Sequence, residues 1–259
     1  MTAMKLGDFS KLAQNYVNRP AYDQVLLYTI LEHMNKSVED IILADVGAGT
    51  GKLTKVLAEM GINKIFAVEP NDEMRSEGVC YTNEYPYIKW SKGTGEDTFL
   101  ESNSVNWVTM ASSFHWTEPK KSLPEFSRIL NKYGYFTIMW NTRNVAASEL
   151  HQTIEDKINE IVPDLKRVSS GNKAHTKDWG EILLSTGHFK DVKFIETDYT
   201  EVMTKERYLN AWRSVNDIQV QAGEERFQQI LNMIEDTIAD LDEIIVPYKM
   251  RSWTVQKVD

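Results

Sequence analysis

The chain has 259 residues, a formal net charge of −9, 42% hydrophobic and 26% charged content, and a single cysteine. That length and apolar content suit one large α/β domain with insertions, or a core plus a cap. The acidic balance argues against a phosphate-backbone partner, which calls for a basic face, and the lone Cys80 excludes an intrachain disulfide and a cysteine-based metal site. No apolar run approaches a membrane span and residues 1–19 lack the apolar core of a secretory signal, so a cytoplasmic protein is expected.

In chain order, residues 9–17 and 22–34 read as helices separated by Pro20. The apolar run 41–44 reads as a buried strand ending in Asp45, followed by the turn Gly47-Ala48-Gly49-Thr50-Gly51 and a helix over 52–60 that Gly61 stops. Further strands are expected over 64–69, 88–91, 105–111, 135–141, 192–199 and 248–256. Strands alternating with helices call for a doubly wound parallel sheet of seven strands with a Rossmann-like α/β plan. Residues 147–168 have helical spacing stopped near Pro163, and 167–176 read as a polar loop around Gly171. Helices are expected around 208–212 and over 227–244. The resulting division is an N-terminal helical lid over 1–36, a core over 37–145 and 177–259 with a helical cap insertion at 205–245, and a helix-loop insertion at 146–176.

The glycine turn narrows the ligand. Its Gly-x-Gly-x-Gly spacing is tighter than the dinucleotide fingerprint, which places two residues between its second and third glycines. Asp45 at the strand end would repel a pyrophosphate but suits an ammonium group. Glu69 closes the second strand, where a carboxylate accepts hydrogen bonds from both ribose hydroxyls. An amino-acid tail, a ribose and no phosphate together describe S-adenosyl-L-methionine.

Asp45 to Gly51, followed by Val68-Glu69-Pro70-Asn71-Asp72-Glu73-Met74, resembles the first two motifs of class I S-adenosylmethionine-dependent methyltransferases. Gly93-Thr94-Gly95-Glu96-Asp97 is similar to the adenine-contacting turn of that family, and residues 105–116 to its fourth strand and following loop. The run Phe114-His115-Trp116 resembles the methyltransferase type 11 subgroup that includes trans-aconitate methyltransferase-like proteins. The resemblance runs from about residue 37 to 141 and more weakly from 178 onward. It implies a last strand that is antiparallel, S-adenosyl-L-methionine as cofactor, and S-adenosyl-L-homocysteine as product.

The expected cofactor contacts are Asp45 and Gly47 for the amino-acid part and Glu69 for the ribose, with Ala48, Gly49 and Pro70 as further cofactor-binding candidates. Met74 is either an adenine-packing residue or core filler; Thr94, Gly95 and Glu96 either meet the adenine edge or form a surface turn; Ser112 can touch the methionine portion. His115 is either a general base or, with Trp116, packing that shapes its loop, because a carboxylate nucleophile needs no base. Candidate substrate contacts are Tyr16, Arg19, Tyr22, His115, Trp116, Trp140, Arg143, Trp212 and Arg213, with Arg213 first in line to grip a carboxylate and Arg19 and Arg143 as helpers. The histidines have no metal-ligand spacing, so no metal is expected. The expected activity is methyl transfer to a small molecule, at a carboxylate or hydroxyl oxygen or else at N or C, by a monomer or homodimer without a nucleic-acid or membrane partner. Alternatives are a catalytically silent cofactor-binding module, a tRNA or protein methyltransferase, and a nucleotide-linked oxidoreductase that the glycine spacing disfavours.

Overall fold

A computed structural model of the chain describes residue 15 and residues 18–167 and 177–259. All but residue 15 of the helix expected over 9–17, Tyr16 included, and all but residue 167 of the loop expected over 167–176 lie outside the described residues.

The first described helix is α1 (Gln24–His33). Asp23 caps it by accepting from the Val25 N–H, and Leu26, Leu27, Ile30 and Leu31 form its buried stripe. Strand β1 (Leu43–Val46) is buried along its whole length and leads through the glycine turn into α2 (Lys52–Glu59). The alternation continues with β2 (Ile65–Val68), α3 (Asp72–Tyr81), β3 (Ile88–Ser91), β4 (Val105–Ala111), α4 (Pro119–Ile129) and β5 (Leu130–Arg143). Then come α5 (Glu149–Ile161), α6 (Trp179–Leu184), β6 (Phe189–Thr204), α7 (Lys205–Arg213), α8 (Asn216–Thr237) and β7 (Glu243–Lys257).

The seven strands form one mixed sheet in the order β3-β2-β1-β4-β5-β7-β6. Pairs β1–β2, β2–β3, β1–β4 and β4–β5 are parallel. The chain steps outward from β1 through β2 to β3, then returns to place β4 on the other side of β1. Ligands in open α/β sheets bind at the carboxyl ends of strands beside such a reversal. Register fixes which side chains meet there: Asp45 stands level with Ala67 of β2 and Thr109 of β4.

The chain divides into two compact units. The sheet unit comprises residues 21–141, 174–197 and 250–259. Its core runs through Val46, Val68, Val108, Phe126, Phe136 and Trp179. The helical unit draws on 142–173 and 198–249 together with residues up to Pro20, and packs around Ile154, Ile158, Tyr208, Trp212, Ile230 and Ile234. Helix α1, within the range expected as a lid, belongs to the sheet unit, while the two expected insertions share one core.

Boundaries differ from expectation where two periodicities compete. The helix expected to reach residue 244 ends at Thr237, and β7 begins at Glu243. Ile244, Val246 and Tyr248 are buried at a spacing of two, the strand period, and outweigh the helical reading. Gly223, at φ 74° and ψ 171°, breaks helical geometry inside α8. Strands β5 and β6 extend beyond their expected ranges, and alternating exposure along β6 marks its continuation to Thr204.

Candidate functional site

The centre of the sheet unit is the turn that leaves β1. Gly47 has φ +66°, and a Cβ there would stand 2.8 Å from the Cβ of Ser113. A side chain is therefore refused both by the backbone and by the loop after β4. Four of the turn's five N–H groups, those of Gly47, Ala48, Gly49 and Gly51, are spent internally. Those of Gly47 and Ala48 donate to the Val68 carbonyl at 2.8 and 3.1 Å, that of Gly51 to the Ala48 carbonyl at 2.9 Å. The Gly49 N–H donates to Glu69 Oε2 at 2.8 Å. A turn so occupied makes a poor phosphate cradle, which needs N–H groups pointing at the anion.

Glu69 just past β2 is 7% exposed and clamped from two sides. Besides the Gly49 bond, Oε1 accepts from the Asn71 N–H at 2.9 Å. Burial pushes its carboxyl above the ordinary value, and the N–H donors of Asn71 and Gly49 and the Arg75 charge oppose that push. Each oxygen keeps a further lone pair, so an oriented carboxylate is presented at the strand tip. Asn71 also caps α3 through the Met74 N–H at 2.9 Å, which seats Met74, 5% exposed, beside the turn. Its Cε is 3.3 Å from where a Cβ on Gly49 would stand. Pro70 between them is exposed.

Asp45 is set deeper than a direct ligand contact requires. It is 1% exposed, with Oδ2 accepting from Thr54 Oγ1 at 2.6 Å and Oδ1 from Thr109 Oγ1 at 3.0 Å. Burial raises its carboxyl to about 6, against the pull of those hydroxyl bonds. In this arrangement Asp45 ties β1 to α2 and β4 beneath the turn. The two threonines were missed in the sequence reading, although a threonine inside the apolar run of β4 was a visible signal.

The turn after β3 is closed on itself: the Thr94 N–H donates to the Asp97 carbonyl, and Thr94 Oγ1 accepts from the N–H groups of Glu96 and Asp97. Glu96 Oε1 accepts from the Glu118 N–H at 2.7 Å, so its carboxylate fixes the approach to α4. A Cβ on Gly95 would meet Thr117 at 2.7 Å. Beyond β4, Ser112 takes a left-handed φ of 53° and its N–H donates to the Met139 carbonyl at 2.8 Å. The Tyr22 hydroxyl lies 3.5 Å from Ser112 Oγ, so these two expected contacts are neighbours.

His115 belongs to the same loop. Its Nδ1 accepts from Trp140 Nε1 at 3.4 Å, which leaves the ring proton on Nε2, and Nε2 is shut from solvent without a partner among the described residues. Burial, with the nearby Lys177 charge, lowers its pKa to about 4. A neutral ring with its proton on Nε2 donates there and does not abstract. Trp116 covers the ring at 4.6 Å and is 45% exposed. Trp140, readable as pocket lining or as core, is core: 2% exposed and stacked on Trp179 at 4.8 Å.

The helical unit holds the remaining candidates. Arg213, expected to lead in carboxylate binding, donates to Asn210 Oδ1 at 2.7 Å. Arg19 donates to the Ser214 hydroxyl at 2.8 Å and carbonyl at 2.9 Å. Trp212 is fully buried, and the Arg143 guanidinium lies over its ring at 4.0 Å. His151, Tyr208 and Tyr248, which the sequence reading did not select, surround Arg143. Among the described residues no group of three or more His, Cys, Asp or Glu is placed to hold a metal ion.

This sheet order, with a glycine turn and a clamped acid at the tips of β1 and β2, is a Rossmann-like α/β arrangement. Residues 44–138 match the model of the family described as "Methyltransferase domain". An uncharacterized methyltransferase of Mycobacterium tuberculosis is 39% identical over 100 residues, 39% of this chain and 40% of the relative. The chain thus spans about 40% of the length of that relative. An uncharacterized methyltransferase-like protein of Schizosaccharomyces pombe is 26% identical over 80% of this chain and 73% of its own length. Among solved structures, a type II methyltransferase candidate from Anaeromyxobacter dehalogenans superposes with a TM-score of 0.65 at 16% identity, covering 91% of this chain and 97% of its own. That likeness extends the fold over nearly the whole chain.

Proposed function

We propose that the chain is an S-adenosyl-L-methionine-dependent methyltransferase of the type 11, trans-aconitate methyltransferase-like kind, acting on a small-molecule acceptor through a carboxylate or hydroxyl oxygen. The observation that carries this reading is the Glu69 carboxylate, held by the Gly49 and Asn71 N–H groups beside a turn in which the N–H groups of Gly47, Ala48 and Gly51 are also spent. An anion-binding turn would leave those groups open; a ribose and an ammonium group are served by an acid. When bound, the cofactor supplies a methyl group on a sulfonium, already activated for displacement.

The chain's own residues then bind and orient. Glu69 takes the ribose hydroxyls, Met74 covers the adenine, and Thr94, Gly95 and Glu96 shape the turn at its edge. Gly47, Ala48 and Gly49 bring backbone close to the methionine part, with Ser112 and Tyr22 across from them. Asp45 acts from beneath through Thr54 and Thr109. Alignment supplies much of the rate in such a displacement. His115, neutral with its buried proton on Nε2, shapes the loop after β4 instead of removing a proton, which fits a carboxylate nucleophile. The reading includes a cytoplasmic protein without nucleic-acid partners, monomeric or homodimeric. Among the described residues no helix is long and apolar enough to cross a membrane.

Calorimetric titration with S-adenosyl-L-methionine and S-adenosyl-L-homocysteine, followed by methyl-transfer assays on carboxylic and hydroxylic acceptors, tests the proposal. Binding to the wild type and its loss in Glu69→Ala is the expected result. Absence of binding to the wild type would remove the methyltransferase reading; binding without transfer to any acceptor would replace it with a silent cofactor-binding module.

A further inference from the structure

The helical unit contains a cation with no carboxylate at ion-pair distance among the described residues; Glu155 acts on Arg143 only through its charge. Arg143 is half-buried, and its Nε is shut from solvent with no hydrogen-bond partner among the described residues. Its guanidinium lies 4.0 Å from the Trp212 ring centre and 5.7 Å from that of Tyr208, and the Tyr248 hydroxyl accepts from it. The acids of the neighbourhood are taken elsewhere. Both oxygens of Glu155 accept from Arg167 Nη1, at 2.8 and 2.7 Å, and Asp217 Oδ2 is 3.5 Å from Arg167 Nε. Beside Arg143 stands His151, whose Nδ1 pairs with Ser148 Oγ at 2.8 Å and whose Nε2 is buried without a partner among the described residues. Burial and the Arg143 charge keep this ring neutral at pH 7, with a pKa of about 4.

A desolvated guanidinium is costly unless an anion and hydrogen bonds offset it. Here aromatic faces, a neutral hydroxyl and the charge of Glu155 offset part, and Glu155 and Asp217 lie at ion-pair distance from Arg167 and not from Arg143. We infer that Arg143, on the Trp212 face with Tyr248 and His151 beside it, is the recognition site for an organic carboxylate. One planar fork with a single positive charge matches a monovalent carboxylate bidentately. A phosphate dianion calls for a second cation, and Arg167 is already engaged by Glu155. The aromatic surroundings of Tyr208 and Trp212 favour a ligand with an apolar or unsaturated body. Its assignment as the anchor of the methyl acceptor rests on the proposed function; the anion site itself does not.

Thermal unfolding of the full chain in Bis-Tris chloride at pH 7 reads the site directly, with benzoate as probe, benzamide as its neutral counterpart and inorganic phosphate as the competing anion. Benzoate raises the wild-type Tm saturably and benzamide does not. Arg143→Met weakens the benzoate response on the order of tenfold to a hundredfold. Without anion its Tm equals or exceeds the wild type, because an unpaired charge has been removed; a merely structural stacking role predicts a lower Tm and no benzoate effect. Arg143→Lys keeps the charge but not the fork, and loses most of the response while remaining folded. A wild type indifferent to benzoate, an Arg143→Lys variant responding like the wild type, or a shift given by phosphate with benzoate inert overturns the assignment. Calorimetry with S-adenosyl-L-homocysteine on the same samples separates the two readings: no binding there sinks methyl transfer and leaves the benzoate result standing.

Discussion

The two units treat buried charge in opposite ways. In the sheet unit, Asp45 and Glu69 are each surrounded by donors supplied by the chain: Thr54 and Thr109 for one, Gly49 and Asn71 for the other. In the helical unit Arg143 is stacked on Trp212 with no carboxylate at ion-pair distance among the described residues, while Arg167, over the same ring, has two. The first arrangement is complete without a partner molecule and serves as a rigid platform. The second is complete only in its apolar contacts.

This contrast can be broken or sharpened by substitution. The largest effect is expected from Gly47→Ala. A left-handed backbone at an alanine costs about 1–2 kcal/mol, and the added Cβ meets Ser113 at 2.8 Å. Titration calorimetry should find S-adenosyl-L-homocysteine binding abolished, with a lowered Tm; unchanged affinity would mean that the turn does not approach the ligand. Glu69→Ala comes next. Loss of charge-assisted bonds worth about 1.5–3 kcal/mol each weakens cofactor affinity on the order of a hundredfold, and a loss below tenfold would move the ribose elsewhere.

Asp45→Asn probes the platform through pH. The Asp45 carboxyl is raised by burial from 3.8 to about 6, so between those values the folded protein holds a proton that the unfolded chain has released. The stability linked to this group therefore falls as pH rises through that window. Chemical unfolding at a series of pH values should show a flatter dependence in the variant; a slope equal to that of the wild type would place the proton on another group. His115 offers a smaller effect. With its pKa lowered to about 4 by burial and by Lys177, its ring resonances should not titrate between pH 5.5 and 8 in NMR spectra. A midpoint near 6.5 would restore it as a candidate base. Smallest of all, Arg213→Ala should leave the benzoate response within about twofold, a change on the order of 0.4 kcal/mol. A loss comparable to that of Arg143→Met would return the carboxylate site to Arg213.

What was legible in the sequence follows the same contrast. The turn at 47–51, the acid at 69 and the strands at 88–91 and 105–111 were readable because each is written in neighbouring residues: glycine spacing, a strand ending in an acid, an apolar run between turns. The depth of Asp45 was not, since Thr109 reaches it only through strand register, 64 positions away in the chain. Trp140 illustrates the same limit. An aromatic near a strand end reads equally as pocket or core, and only Trp179 and Trp253 packed around it decide for core. In the helical unit almost every relevant pairing is distant in sequence. Arg143 meets Tyr208, Trp212 and Tyr248 across more than sixty residues, and no local pattern distinguishes it from Arg19 or Arg213.

The sheet order also has a consequence for how the chain acquires its structure. β7 comes last of the strands yet lies between β5 and β6, hydrogen-bonded to both. Until residues 243–257 have been synthesised, β6 has no neighbour to join and β5 presents an open edge. A nascent chain emerging from the ribosome therefore carries five paired strands and one waiting strand, and the final insertion closes two ladders in a single event. Long-range pairing of this kind slows folding and leaves an exposed edge meanwhile. Deletion of the β7 segment would accordingly detach two strands from the sheet, whereas loss of an outer strand detaches only itself.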